Sequence, residues 1–109
     1  MQEFVVVYVT AGSPDEGERL ARTLVDERLA ACVNRIAPVQ SVYRWEGKLE
    51  QSEEQLLIIK TQKELFGALE KRVRELHSYS VPEIVALPII DGSQDYLRWL
   101  ADQTTGGTV

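Results

Sequence analysis

The stretch V-Q-S-V-Y-R-W-E-G-K-L-E-Q-S-E-E-Q-L-L-I-I-K-T, Val39 to Thr61, decides how the rest of this 109-residue chain is read. Its pattern predicts one long β-hairpin with a tight turn at Gly47-Lys48, because Gly supplies the positive φ of a two-residue turn and both flanks carry β-branched or aromatic residues. The outgoing arm holds Val39, Val42, Tyr43 and Trp45, whereas Glu50 to Gln55 is almost wholly polar before the apolar run Leu56-Leu57-Ile58-Ile59. A turn at 47 and 48 sets Trp45 opposite Glu50, Tyr43 opposite Ser52 and Ser41 opposite Glu54. Aromatics paired with carboxylates have no core beneath them. The outer third of the hairpin is therefore expected to project beyond the domain and to meet a partner.

Outward from the hairpin, Phe4 to Thr10 is a β-branched and aromatic run without alternation, the pattern of a central strand covered on both faces. Ser13-Pro14-Asp15-Glu16 is a helix start: a Ser N-cap, Pro at the first helical position and a Glu that closes a capping box. Leu20, Ala21, Leu24, Val25 and Leu29 then form an apolar stripe, and the helix is expected to end near Arg28 to Ala30. Ala31 to Ala37 reads as a strand with Asn34 and Arg35 on it, and Pro38, lacking an amide donor, places it at a sheet edge. After the hairpin, Thr61-Gln62-Lys63-Glu64 repeats the capping pattern ahead of a second helix marked by Leu65, Leu69, Val73 and Leu76. Glu83 to Ile90 is a fourth strand, which Pro88 also assigns to an edge. Ser93 caps a short helix through Leu100, and 104–109 reads as a frayed tail.

Strand, helix, strand, strand, helix, strand with right-handed crossovers gives a four-stranded antiparallel sheet whose first and third strands are central. The expected class is α+β, a ferredoxin-like βαββαβ sheet with helices on one face, a long hairpin and a short C-terminal helix, all in one domain. Hydrophobic residues at 44% and charged residues at 27% suit such a domain, and no apolar run approaches the roughly 20 residues that span a bilayer. A formal net charge of −5 and a pI near 4.9 argue against nucleic acid or an anionic membrane as principal partner. The single cysteine, Cys32, allows no internal disulfide and no multi-cysteine zinc site, and the start of the chain shows no signal-peptide pattern, so a cytoplasmic location is expected.

Four motifs in order, E-R-L-A-A-C-V-N (27 to 34), S-V-Y-R-W-E-G-K (41 to 48), L-L-I-I-K-T (56 to 61) and V-P-E-I (81 to 84), closely resemble the CutA family of divalent-cation tolerance proteins over about residues 4 to 103. The resemblance implies a non-enzymatic, tight homotrimer in which strands of neighbouring subunits extend one another's sheets, with copper or another divalent cation as its ligand. Tyr43, Trp45 and Val42 then become trimer contacts. The family's trimer also resembles that of PII-like signalling proteins, which leaves open a sensor that takes a small molecule in clefts between subunits.

The candidate metal ligands are His77, Glu83 and Cys32, of which only His77 carries over directly from the resemblance. His77-Ser78-Tyr79-Ser80-Val81-Pro82-Glu83 keeps the His, Tyr, Pro and Glu of the family's H-P-Y-x-x-P-E motif. Val9 and Leu76 stand where members with proposed copper ligands carry a Cys and a second His, which removes the donors that favour copper. Each candidate also has a structural reading. His77 ends a helix whose dipole it would complement, Cys32 follows two alanines as a small hydrophobe would, and Glu83 would pair with Lys60 or face solvent. Glu50, Glu53 and Glu54 read as a solvated face, or as a weak hard-cation ring repeated around a trimer. An acylphosphatase-type enzyme is disfavoured, since Asp15 and Glu16 stand where a phosphate would sit. An RNA-binding sheet is disfavoured too, since Leu56 to Ile59 offers no stacking aromatic.

Overall fold

A computed structural model describes residues 2–104. The strands β1 (Phe4–Ala11), β2 (Cys32–Trp45), β3 (Lys48–Gln62) and β4 (Ile84–Ile89) form one sheet in the order β2-β3-β1-β4, antiparallel throughout. The central and edge positions are those expected. Helices α1 (Pro14–Asp26) and α2 (Phe66–Leu76) carry the crossovers, and α3 (Gln94–Thr104) follows β4.

The core lies between the sheet and α1 and α2. Val5, Val7, Val9 and Ala11 of β1 and Leu57 and Ile59 of β3 meet Leu20 and Leu24 of α1 and Leu69 and Val73 of α2. Each fully buried Leu, Ile or Val contributes about 1.5–3 kcal/mol relative to exposure. The expectation that β1 is covered on both faces is corrected, because Phe4, Val6, Tyr8 and Thr10, which alternate with the buried residues, are only partly covered. The opposite face has α3 alone. That helix sits near one end, where Gln62 donates to the carbonyl of Ala101 and to Oγ1 of Thr104, and Lys60 approaches the Tyr96 ring. Thr104, expected to fray, is buried in α3 and donates to the Leu100 carbonyl at 2.9 Å; 105–109 lie outside the described residues.

Local starts and stops follow from the residues. Ser13 caps α1 by accepting from the Glu16 amide, and Pro14 opens the helix. The helix stops at Asp26, short of the expected end, because Arg28 takes φ of 62° and turns the chain toward β2. The second capping box does not form. Thr61 stays in β3, its hydroxyl donates to the Leu29 carbonyl at 2.7 Å, and a 3-10 turn at Lys63–Leu65 leads into α2 without a side-chain cap.

The hairpin is present, but its turn is Glu46-Gly47 rather than Gly47-Lys48. Both residues have positive φ, 51° and 81°, as a type I′ turn requires, and that turn prefers Gly at its second central position. The register therefore shifts: Trp45 faces Lys48, Tyr43 faces Glu50 and Ser41 faces Ser52. Pro38 falls in an irregularity between Ile36 and Val39 where β2 has one residue more than β3, so its missing amide costs no ladder bond. The strand continues through it. Beyond it the arm leaves the core, and the molecule measures 44 × 26 × 21 Å.

Candidate functional site

The chain links α1, α2, β1 and the base of the hairpin at one end of the sheet. Glu16, 6% exposed, sends Oε1 to the Gly12 amide at 3.1 Å and accepts the Ser78 amide on Oε2 at 2.6 Å. Burial pushes its carboxyl pKa up, but hydrogen bonds from the Ser78 and Gly12 amides and from the Ser78 hydroxyl outweigh it and hold the group below its ordinary value. The carboxylate expected to close a capping box onto Ser13 instead takes the Gly12 amide and anchors the loop after α2, so only the Ser13 half of the box forms.

His77 completes that anchor. Its side chain is buried, Nε2 lies 2.7 Å from the Thr10 carbonyl oxygen and Nδ1 lies 3.0 Å from the Tyr79 amide. A carbonyl can only accept and an amide can only donate, so Nε2 carries the proton and Nδ1 accepts. Both ring nitrogens are thereby engaged within the chain. Cys32 pairs with Lys60 and Lys60 with Val6, four residues along β1 from Thr10, or about 13 Å at the strand rise. Its sulfur is 3.7 Å from Asn34 Oδ1. Glu83 is exposed just before β4, and Lys60 donates to Asn34 Oδ1 at 2.8 Å instead of meeting it. The three sequence-predicted ligands are therefore not brought together, and among the described residues no three His, Cys, Asp or Glu side chains converge as a metal site would require.

What the fold does bring together is a cleft of about 720 Å³ between the hairpin arm and the loop that Glu16 and His77 hold. Tyr43, Trp45 and Tyr79 supply rings to it, and Glu50, Glu54 and Glu83 supply carboxylates. Tyr79 donates its hydroxyl to Glu54 Oε2 at 2.8 Å, joining the two walls. Burial, and then the bond to Glu54, push the Tyr79 pKa up to about 12, so the phenol keeps its proton. A Cβ on Gly12 would lie 3.0 Å from the Tyr79 hydroxyl, so a larger residue there would require Tyr79 to shift by a few tenths of an ångström. Glu54, expected on a solvated face, is only 8% exposed because Tyr79 lies against it. Sequence reasoning missed Glu16, Glu54 and Tyr79 as one system, since their partners lie 62 and 25 residues away. The available signal was Tyr79 inside the 77–83 motif.

The sheet order, the crossover helices and the long second and third strands define a ferredoxin-like protein. A family model described as CutA1 divalent ion tolerance protein matches residues 5–103, and the chain belongs to that family. It is 49% identical over 100 residues to the chloroplastic protein CutA of Arabidopsis thaliana, covering 92% of this chain and 55% of the plant protein. It is 48% identical over 99 residues to the divalent-cation tolerance protein CutA of Thermus thermophilus, covering 91% of this chain and 96% of that one. The chain thus spans a little over half the length of the plant relative and nearly all of the bacterial one. Among solved structures, CutA1 from Oryza sativa matches with a TM-score of 0.92 at 48% identity over 94% of both chains. The Thermus thermophilus protein matches at 0.90 and 47%, over 95% of this chain and 99% of that one. No helix among the described residues is long and apolar enough to cross a membrane.

Proposed function

We propose that this chain is a non-enzymatic, cytoplasmic protein of the divalent-cation tolerance type, which works as a homotrimer and meets copper or another divalent cation through ligands from more than one subunit. The observation that carries this reading is the apolar surface one copy leaves open: Val42, Tyr43 and Trp45 on the hairpin are 62%, 42% and 48% exposed, and Val85 and Leu87 on edge strand β4 are also uncovered. Exposed apolar residues beside unpaired edge strands are the surface a further copy covers. Within one chain His77 has no free nitrogen, while Cys32 and Glu83 stand apart, so a cation site needs donors from a neighbouring copy. Glu83, exposed in the cleft, is the candidate ligand best placed to share a cation across that boundary.

Calorimetry of the protein with copper and zinc tests the metal part. Saturable binding that falls at least tenfold in Glu83→Gln and is little changed in Cys32→Ala is the expected result. Absence of binding, or binding indifferent to Glu83, overturns it. A second reading, a small-molecule sensor of PII-like type, is favoured by the volume of the cleft, which lies within the roughly 300–1,000 Å³ of ordinary ligand pockets.

A further inference from the structure

We infer that Asp91-Gly92, in the loop between β4 and α3, is a site of succinimide formation and isoaspartate modification, and that the change loosens α3. It is the one Asp-Gly or Asn-Gly pair in the chain. The Gly92 amide donates to Asp91 Oδ1 at 2.9 Å, which sets its nitrogen beside Cγ, the carbon it would attack. Glycine has no side chain to hold the two apart, and its backbone turns freely into the geometry of the ring. Ile90, Asp91, Gly92 and Ser93 are all exposed and belong to neither strand nor helix, so water reaches that ring. The amides that follow three other aspartates are committed elsewhere: that of Glu16 to Ser13 Oγ, that of Glu27 to the Thr23 carbonyl and that of Tyr96 to Ser93 Oγ. Asp102 and Asn34 lie within α3 and β2, and Lys60 holds the Asn34 side chain. Ile89 pairs with Phe4, so the loop lies beyond the end of β4, at the end of β1 opposite to the one from which the hairpin leaves.

In the first step the Gly92 nitrogen bonds to Cγ of the protonated Asp91 carboxyl, and the carboxyl hydroxyl leaves with the amide proton as water. Carboxyls near neutral pH are almost wholly ionised, so the reaction is slow. Water then opens the ring at either carbonyl. Opening at Cγ restores aspartate. Opening at the main-chain carbonyl of Asp91 leaves the chain running through Cβ and Cγ, with the former main-chain carbon as the free carboxylate. The final mass is unchanged, and the main chain is longer by one methylene. That methylene enters where α3 is set. A Cβ on Gly92 would lie 3.3 Å from Cγ and Cδ2 of Leu97, so Leu97 packs directly on the Gly92 backbone. Ser93 accepts the Tyr96 amide on Oγ and the Leu97 amide on its carbonyl oxygen, which starts the helix.

The test incubates the intact protein for several weeks at physiological pH and temperature, then labels it with an isoaspartyl methyltransferase and labelled S-adenosylmethionine before peptide mapping. Label is expected on the peptide that holds Asp91 and Gly92, accumulating at least as fast as in a synthetic peptide of Ala86 to Tyr96. Amide hydrogen exchange from Leu97 to Leu100 should be faster in the modified fraction. Asp91→Glu, which would need a six-membered ring, should abolish the label, and Gly92→Ala should slow it roughly tenfold. Label that forms more slowly in the folded protein than in the peptide, or not at all, overturns the site. Equal label in Asp91→Glu overturns it too. Label at Asp91 with unchanged exchange in α3 keeps the site and overturns the loosening.

Discussion

Glu16→Ala should lower stability by about 1.5–3 kcal/mol, the worth of part-buried hydrogen bonds from two amides to a charged acceptor. Those amides belong to Gly12, before α1, and Ser78, after α2, so one substitution unties two elements that sequence places far apart. The measurement is chemical denaturation together with hydrogen exchange at both amides, which should lose protection before the core of β1 and β3 does. Glu16→Gln keeps a carbonyl acceptor and should lose less. The same carboxylate sets an acid dependence. Its folded pKa lies below the ordinary 4.5, so its contribution is fully present above about pH 4.5 and is lost as pH falls through the folded value. Wild type should therefore lose more stability than Glu16→Gln between pH 5 and the acid limit, and parallel acid limbs would contradict the assignment.

Trp45→Ala carries the second large effect, on association and not on the fold of one chain. Trp45 lies at the far end of the arm, opposite Lys48, outside the core that Leu57 and Ile59 share with α1 and α2. Truncating a buried aromatic anchor at an interface costs about 2 kcal/mol or more, roughly thirtyfold in an association constant. Dilution of the variant should show dissociation at concentrations where wild type stays assembled, while its far-ultraviolet circular dichroism is unchanged. A variant that unfolds without dissociating would place Trp45 in the core of one chain instead.

Most of the fold was legible because it rests on local pattern. The apolar runs of β1 and of Leu56 to Ile59 marked the central strands, and Pro38 and Pro88 marked the edges, through the physics of burial and the missing amide. The turn was displaced by one residue because Gly47 alone does not say whether it stands first or second in the turn; the positive φ of Glu46 decides it. The capping pattern at Thr61 misled for a related reason, since the sheet claimed Thr61 before the helix could. The site was legible only in part. His77 and Tyr79 stood in a visible motif, but the side-chain bonds that give His77 to Thr10 and Tyr79 to Glu54 span 67 and 25 residues and follow no periodicity. Glu54 looked like its neighbours Glu50 and Glu53 and differs only in what lies over it.

Assembly through the hairpin is the proposal on which the rest depends, because it would account for the only partly covered second face of β1 and for the exposed aromatics, and would let donors from more than one chain meet a cation. Light scattering of the purified protein at micromolar concentration tests it most directly. A mass three times 12.3 kDa is the expected result; a stable, folded monomer at that concentration would contradict it.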